Sequence, residues 1–139
     1  MQSAQIFLPM MVVLAIPVFV LLLNGKRKSV DRKNGTARAE AAIDNTAWSV
    51  PVILTSNSLA NQFQLPVVFY VLGFILFNIN AVSTLVLALC WIFALSRWGH
   101  AIVHVTTNKI PHRMALFAVS TLALFILFGI TAVRVVNFG

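Results

Sequence analysis

Four long apolar runs dominate this chain of 139 residues. They cover residues 6–23, 59–77, 81–104 and 114–136. Each is close to the roughly 20 residues that an α-helix needs to cross about 30 Å of hydrocarbon. We therefore predict an all-α, integral membrane four-helix bundle. Its expected helices cover about 5–24, 48–77, 81–106 and 112–136, with a basic loop over 25–47.

Composition excludes most soluble classes of protein. Hydrophobic residues make up 60% of the chain, charged residues 9%, and the mean hydropathy is +0.93. Because the predicted connections are short apart from the first, there is no room for a separate soluble domain, and any chemistry must lie in or beside the helices of a single domain. The first run is followed by basic residues rather than preceded by them, which favours a retained helix over a cleaved signal peptide. The single Cys90 cannot form an internal disulfide and is interpreted as a buried, small apolar residue.

The placement of positive charge predicts the topology. The net charge is +7, and six of the ten basic residues lie in the first connection. These six are Lys26, Arg27, Lys28, Arg32, Lys33 and Arg38. Further basic residues flank the third connection, whereas the second has none. Positive residues favour the cytoplasmic side, so connections one and three should be cytoplasmic and both termini outer or luminal. Basic residues beside a membrane helix more often set topology or touch anionic lipid than bind nucleic acid, so we expect no nucleic-acid partner.

Amide side chains form a polar face on the second predicted helix. Asn57, Asn61 and Gln64 lie at i, i+4 and i+7, just before an apolar segment. An amide without a partner in hydrocarbon costs several kcal/mol, so this face should point at protein or at a wet cavity.

Ionisable residues form a second polar face on the third predicted helix. Arg97, His100 and His104 lie at i, i+3 and i+7, and the fourth helix begins at His112 and Arg113. Three helices thus bring polar residues to one membrane depth. Ionisable residues at such depth often mark functional sites, so this convergence predicts a pocket.

Each group also has a structural interpretation. Amides in membrane helices commonly join helices through hydrogen bonds of about 1 kcal/mol. The guanidinium groups of Arg97 and Arg113 could anchor the helices at the lipid head groups. His100 and His104 at i, i+4 could share a metal ion, but no carboxylate or thiol lies nearby in sequence. Metal sites require three or four ligands, so no metal is assigned.

The segment 57–66 resembles the helix-two signature of MAPEG proteins, the membrane-associated proteins of eicosanoid and glutathione metabolism. In that family Arg, Asn and Glu recur as R-x-x-x-N-x-x-E. Asn61 matches the Asn, whereas Asn57 stands in place of the Arg and Gln64 in place of the Glu. The stretch from Arg97 to Arg113 also resembles the end of helix three and the start of helix four in the prostaglandin-E-synthase branch. The resemblance covers essentially the whole chain.

The resemblance implies a homotrimer that binds glutathione between neighbouring subunits and a lipophilic small molecule from the membrane. Arg113 would be the helix-four arginine that stabilises the thiolate, which is the catalytic role. The cofactor-binding residues would be Asn57, Asn61, Gln64, Arg97, His100 and His104.

Three further positions depart from the glutathione-using members of that branch. His104 and Phe117 stand where those members carry tyrosines, and Met114 stands where they carry a serine. Two functions remain open: a glutathione-dependent membrane transferase, or related thiol chemistry, and a non-catalytic protein that binds lipid or serves as an accessory subunit.

Overall fold

The computed structural model describes residues 3–138, and within that range all regular structure is helical. A 3-10 turn at Ser3–Ile6 leads into the first α-helix, and two further 3-10 turns, Ala39–Ala42 and Asn45–Ala47, lie in the first connection. The α-helices are α1 (Phe7–Asn34), α2 (Val50–Asn61), α3 (Leu65–Asn78), α4 (Thr84–Val105) and α5 (Ile110–Val136).

Four membrane spans result from these five helices, because α2 and α3 together make one span. The spans are Ala4–Asn34, Val50–Asn78, Thr84–Val105 and Ile110–Val136, each long and apolar enough to cross a bilayer. The prediction of an all-α, four-span integral membrane protein is confirmed.

The first helix is longer than the sequence analysis predicted. α1 continues to Asn34, ten residues past its expected end near residue 24, so most of the basic residues lie on a helix and not in a loop. Lys and Arg are good helix formers, and the lone Gly25 costs only about 1 kcal/mol. The helix ends where Gly35 adopts a left-handed conformation with φ of 68° and its N–H bonds to Arg32 and Asp31 carbonyls.

The second span is broken, which was not predicted. α2 ends at Asn61 and α3 begins at Leu65. Pro66 explains the break, because proline has no N–H and its ring would collide with the carbonyl of Gln62 four residues earlier. The break rotates the residues after Asn61 away from the face that α2 presents.

Apolar packing between the spans fixes the depth of the polar residues. The rings of Phe69 on α3 and Phe93 on α4 stack with centroids 4.4 Å apart. The indole of Trp98 on α4 donates to the Val12 carbonyl of α1 at 2.8 Å. α4 packs most extensively on α5, and α1 contacts α2, α3 and α4. The last turns of α2 and α4 thereby meet the first turn of α5.

Candidate functional site

A cavity of about 310 Å³ opens where α2, α4 and α5 meet. It is lined by Asn57, Asn61, His100, His104, Arg113, Met114 and Phe117. We call it the Arg113 cavity. Five of the seven predicted site residues line it, and they come from three different helices.

Arg113 lies in the first turn of α5, where Pro111 starts the helix without needing an N–H partner. The side chain is half-buried, and its Nη1 donates to the Asn108 side-chain oxygen at 2.8 Å. Asn108 has a φ of 48°, a left-handed conformation that asparagine tolerates better than most residues. This bond holds the guanidinium while leaving other N–H groups for a ligand.

The two histidines are buried, and their ring nitrogens have different hydrogen-bonding roles. Nδ1 of His100 lies 3.0 Å from the Arg113 carbonyl. A carbonyl only accepts, so Nδ1 carries the hydrogen and Nε2 of the neutral ring is an acceptor. Nδ1 of His104 lies 3.4 Å from the Asn61 amide nitrogen, which donates, so the neutral ring has its hydrogen on Nε2. The pair can therefore offer one acceptor and one donor.

One of these ring atoms is unsatisfied. Within residues 3–138, Nε2 of His100 is buried with no hydrogen-bond partner. A buried polar atom without a partner costs about 1–3 kcal/mol. Ser58 Oγ and Arg97 Nε share this state, but His100 is the one of the three residues that lines the cavity.

The two asparagines differ in how firmly they are held. Asn57 is exposed, and its side-chain oxygen accepts from the Asn45 amide at 3.4 Å. Asn61, one turn on, is half-buried against His104. The i, i+4 spacing keeps both on the face of α2 that borders the cavity.

Arg97 lies next to this cavity but is closed off from it. Its side chain is only 1% exposed, and Nη2 donates to the Asn61 carbonyl at 3.2 Å and to the Gln62 side-chain oxygen at 3.4 Å. Gln62 in turn donates to the Ser58 carbonyl at 2.9 Å. We call Arg97, Gln62 and the Asn61 carbonyl the Arg97 cluster. It ties α4 to the break between α2 and α3.

Gln64 is the predicted site residue that lies outside both groups. It is exposed, it precedes α3 with φ of −105° and ψ of −107°, and it is not among the residues that line the cavity. The predicted common face of Asn57, Asn61 and Gln64 was wrong at Gln64, because the helix does not continue past Asn61.

Gln62 and Asn108 were missed. The available signal for Gln62 was its spacing of four residues from Ser58, because both lie on the buried face of α2. Nothing in the sequence singled out Asn108.

The charge of the Arg113 cavity favours an anion. The three acidic residues of the chain, Asp31, Glu40 and Asp44, belong to the end of α1 and the first connection. Among the residues that line the cavity, Arg113 is therefore not opposed by a carboxylate. Met114 and Phe117 provide apolar walls beside it. The described part of the chain contains no group of three or more His, Cys, Asp or Glu that could hold a metal ion.

Comparison with protein families gives a match over nearly the whole chain. The model of the MAPEG family matches residues 6–133. The comparisons with curated proteins and with solved structures gave no match.

Proposed function

This chain belongs to the MAPEG family, and on that premise we propose that it is a membrane transferase that binds glutathione in the Arg113 cavity and joins its thiol to a lipophilic electrophile. Family membership supports a glutathione-related membrane function in general. The lining of the cavity supports the choice of the residues that would bind glutathione. Arg113, two histidines and two asparagines converge there from three helices, beside apolar walls.

The residues present fit an anionic, amide-rich tripeptide. Arg113 can donate to a carboxylate or a thiolate, and Asn57 and Asn61 can both donate to and accept from peptide groups. Nε2 of His100 is buried with its acceptor position unfilled among the described residues. At about 310 Å³ in one subunit, the cavity is at the lower end of the usual range for ligand pockets, about 300–1,000 Å³. A neighbouring subunit would enlarge it.

Arg113 acts in this proposal by its charge and its position. The bond to Asn108 keeps the guanidinium at the start of α5, beside Met114 and Phe117. Glutathione supplies the thiol that becomes the nucleophile. A cation next to a thiol lowers the thiol pKa from roughly 8.5 and raises the fraction of thiolate at neutral pH. Arg113 thus promotes loss of the thiol proton and holds the resulting negative charge.

The other lining residues position the ligand. Asn57 and Asn61 bind its polar ends from α2, while His104 donates through Nε2 from α4. Met114 and Phe117 keep water from the reacting atoms and adjoin the lipid-facing side of α5. A lipophilic electrophile can therefore arrive from the membrane while the polar ligand arrives from water.

Two further features belong to the proposal. The basic end of the bundle faces the cytoplasm, with both termini on the outer or luminal side, because positive residues are concentrated in connections one and three. The protein works as a homotrimer, as the family resemblance implies, and a neighbouring subunit would close the open side of the Arg113 cavity.

A second candidate function is non-catalytic, and the Arg97 cluster favours it. Arg97 donates to the Gln62 side chain and to the Asn61 carbonyl, and Gln62 donates to the Ser58 carbonyl, as groups that only join helices do. Buried polar groups of this kind are common in membrane bundles without any ligand. In that case the protein would be an accessory or lipid-binding subunit.

Ionisation of the bound thiol separates the two candidates. Thiolate absorption in the ultraviolet is followed against pH for glutathione with the wild-type protein and with Arg113→Ala. The proposal predicts a thiol pKa clearly below 8.5 in the wild-type complex and a return towards 8.5 in the variant. A wild-type complex that titrates like free glutathione would support the non-catalytic function.

A further inference from the structure

A second cavity lies at the basic end of the bundle, between the last part of α1 and the start of α2. Its volume is about 320 Å³. Leu23, Val30 and Pro51 give it an apolar lining, and Lys26 and Arg27 give it positive charge. It shares no lining residue with the Arg113 cavity. We call it the Lys26 cavity.

Positive charge exceeds negative charge in the Lys26 cavity, although one carboxylate borders it. The Asp31 carboxylate accepts from the Ser49 N–H at 2.8 Å and from the Ser49 hydroxyl at 2.8 Å. Arg27 donates to two neutral acceptors, the carbonyls of Pro51 and Val105, each at 2.8 Å. These bonds fix the guanidinium in place. With exposed Lys26 one residue away, the cavity is lined by two cations and one anion, which leaves a net positive charge.

The level of the cavity relative to a membrane is indicated by Trp48. Its ring lies under two cations of α1, with Lys28 Nζ 5.0 Å and Arg32 Cζ 5.9 Å from the ring centroid. Tryptophan concentrates where hydrocarbon gives way to lipid head groups. The apolar part of α1 ends at Leu23, so the Lys26 cavity lies at the same boundary.

An exposed apolar surface runs from this cavity along α1. Leu22, Lys26 and Val30 are spaced by four residues and share one face of the helix. Leu22 is 70% exposed and Val30 is 47% exposed. A ligand with a negative head group and a hydrocarbon tail could place its head group in the positive cavity and its tail on the apolar face of α1.

We propose that the Lys26 cavity binds an anionic phospholipid, with its phosphate held by Lys26 and Arg27 and an acyl chain against Leu22 and Leu23. Charge complementarity selects an anionic lipid, and the exposed apolar face of α1 selects a lipid over a soluble phosphate. The site does not depend on glutathione, so its test is independent of the proposed function.

Lipid retention by the purified protein tests this site. The detergent-purified protein is equilibrated with phosphatidylglycerol and phosphatidylcholine that have the same acyl chains, and native mass spectrometry counts each lipid per subunit. Wild type should retain phosphatidylglycerol in preference. A basic residue near a lipid surface contributes about fivefold in affinity, so Lys26→Gln should reduce the preference about fivefold. Glycerol phosphate, which has the head group alone, should not displace the lipid.

Lys28→Gln is the matched control, because it removes the same charge from the same helix but faces Trp48. It should leave the preference within about twofold of wild type, since the Lys28 ammonium lies over the Trp48 ring and does not line the cavity. Equal losses in both variants would overturn the site, since general surface charge would then explain the binding. Displacement by glycerol phosphate would also overturn it. So would protection of Lys26 from an amine-reactive reagent in the delipidated oligomer, because a second copy would then cover the cavity.

Discussion

The Arg97 cluster and the Arg113 cavity are neighbours with opposite surroundings. Arg97 is 1% exposed and bonds to acceptors within its own chain. Arg113 is half-buried, bonds through one nitrogen to Asn108 and borders a cavity. The comparison teaches that an arginine at membrane depth is not by itself a sign of a binding site. Access decides, because Arg97 is buried and closed off from the cavity, whereas Arg113 lines it.

Replacing Arg97 should have the largest effect on folding. Arg97→Ala leaves a cavity and removes the donor from the Gln62 side chain and the Asn61 carbonyl. Truncation of a large buried side chain typically costs 2–5 kcal/mol, so we expect the free energy of unfolding to fall by about 4 kcal/mol. Denaturant unfolding in detergent, followed by circular dichroism, measures this. If Arg97→Ala unfolds like wild type but loses glutathione affinity, Arg97 belongs to the ligand site.

Replacing Arg113 should affect catalysis and not folding. Removing one group that stabilises developing charge typically costs 10²–10³ in rate, so Arg113→Ala should lower kcat/KM for glutathione conjugation by about that factor. The residue is half-buried, so the unfolding free energy should change by less than about 1 kcal/mol. Turnover of a chlorinated nitroaromatic electrophile and the denaturation curve are measured on the same sample. A large loss of stability in Arg113→Ala would contradict the distinction between a structural Arg97 and a catalytic Arg113.

The pair Gln62 and Gln64 tests the same contrast with one residue type. Gln62→Ala removes the acceptor of Arg97 and the donor to the Ser58 carbonyl, so the unfolding free energy should fall by about 2 kcal/mol. Gln64→Ala, at an exposed position, should change it by less than about 0.5 kcal/mol. Both are measured by denaturant unfolding. Equal losses of unfolding free energy would show that Gln62 is not more buried and better bonded than Gln64.

Asn61 sharpens the comparison, because its main chain belongs to the Arg97 cluster and its side chain to the Arg113 cavity. Asn61→Ala keeps the carbonyl that Arg97 uses and removes only the amide. Loss of one hydrogen bond of about 1 kcal/mol should weaken glutathione binding about fivefold. Stability should stay close to wild type. A stability loss as large as that of Arg97→Ala would place the Asn61 side chain in the structural cluster.

The membrane fold could be predicted because it depends on long runs of apolar residues. Such runs are read directly from the sequence, and 20 residues of helix match the bilayer. The end of the first helix and the break in the second span were harder to predict from the sequence. α1 extends through Lys26 and Arg27 because lysine and arginine are good helix formers. The helix therefore continues after the apolar run has ended.

The site could be predicted only where the helix was regular. Periodicity placed Asn57, Asn61, His100 and His104 beside Arg113, since residues at i, i+4 share a face. The same rule failed at Gln64, because Pro66 breaks the second span and α2 ends at Asn61. Asn108 holds Arg113 through a turn conformation that residue spacing does not reveal. The roles of these residues toward glutathione remain predictions.

Calorimetric titration of glutathione into the detergent-purified protein tests the central claim, that the open cavity and not the closed cluster binds the ligand. Wild type is compared with Asn61→Ala and Arg113→Ala, and Gln64→Ala is the control outside the cavity. We expect saturable binding that both cavity variants weaken and that Gln64→Ala leaves within about twofold of wild type. A folded wild-type protein that binds no glutathione, or binding weakened only by Gln64→Ala, would contradict the account.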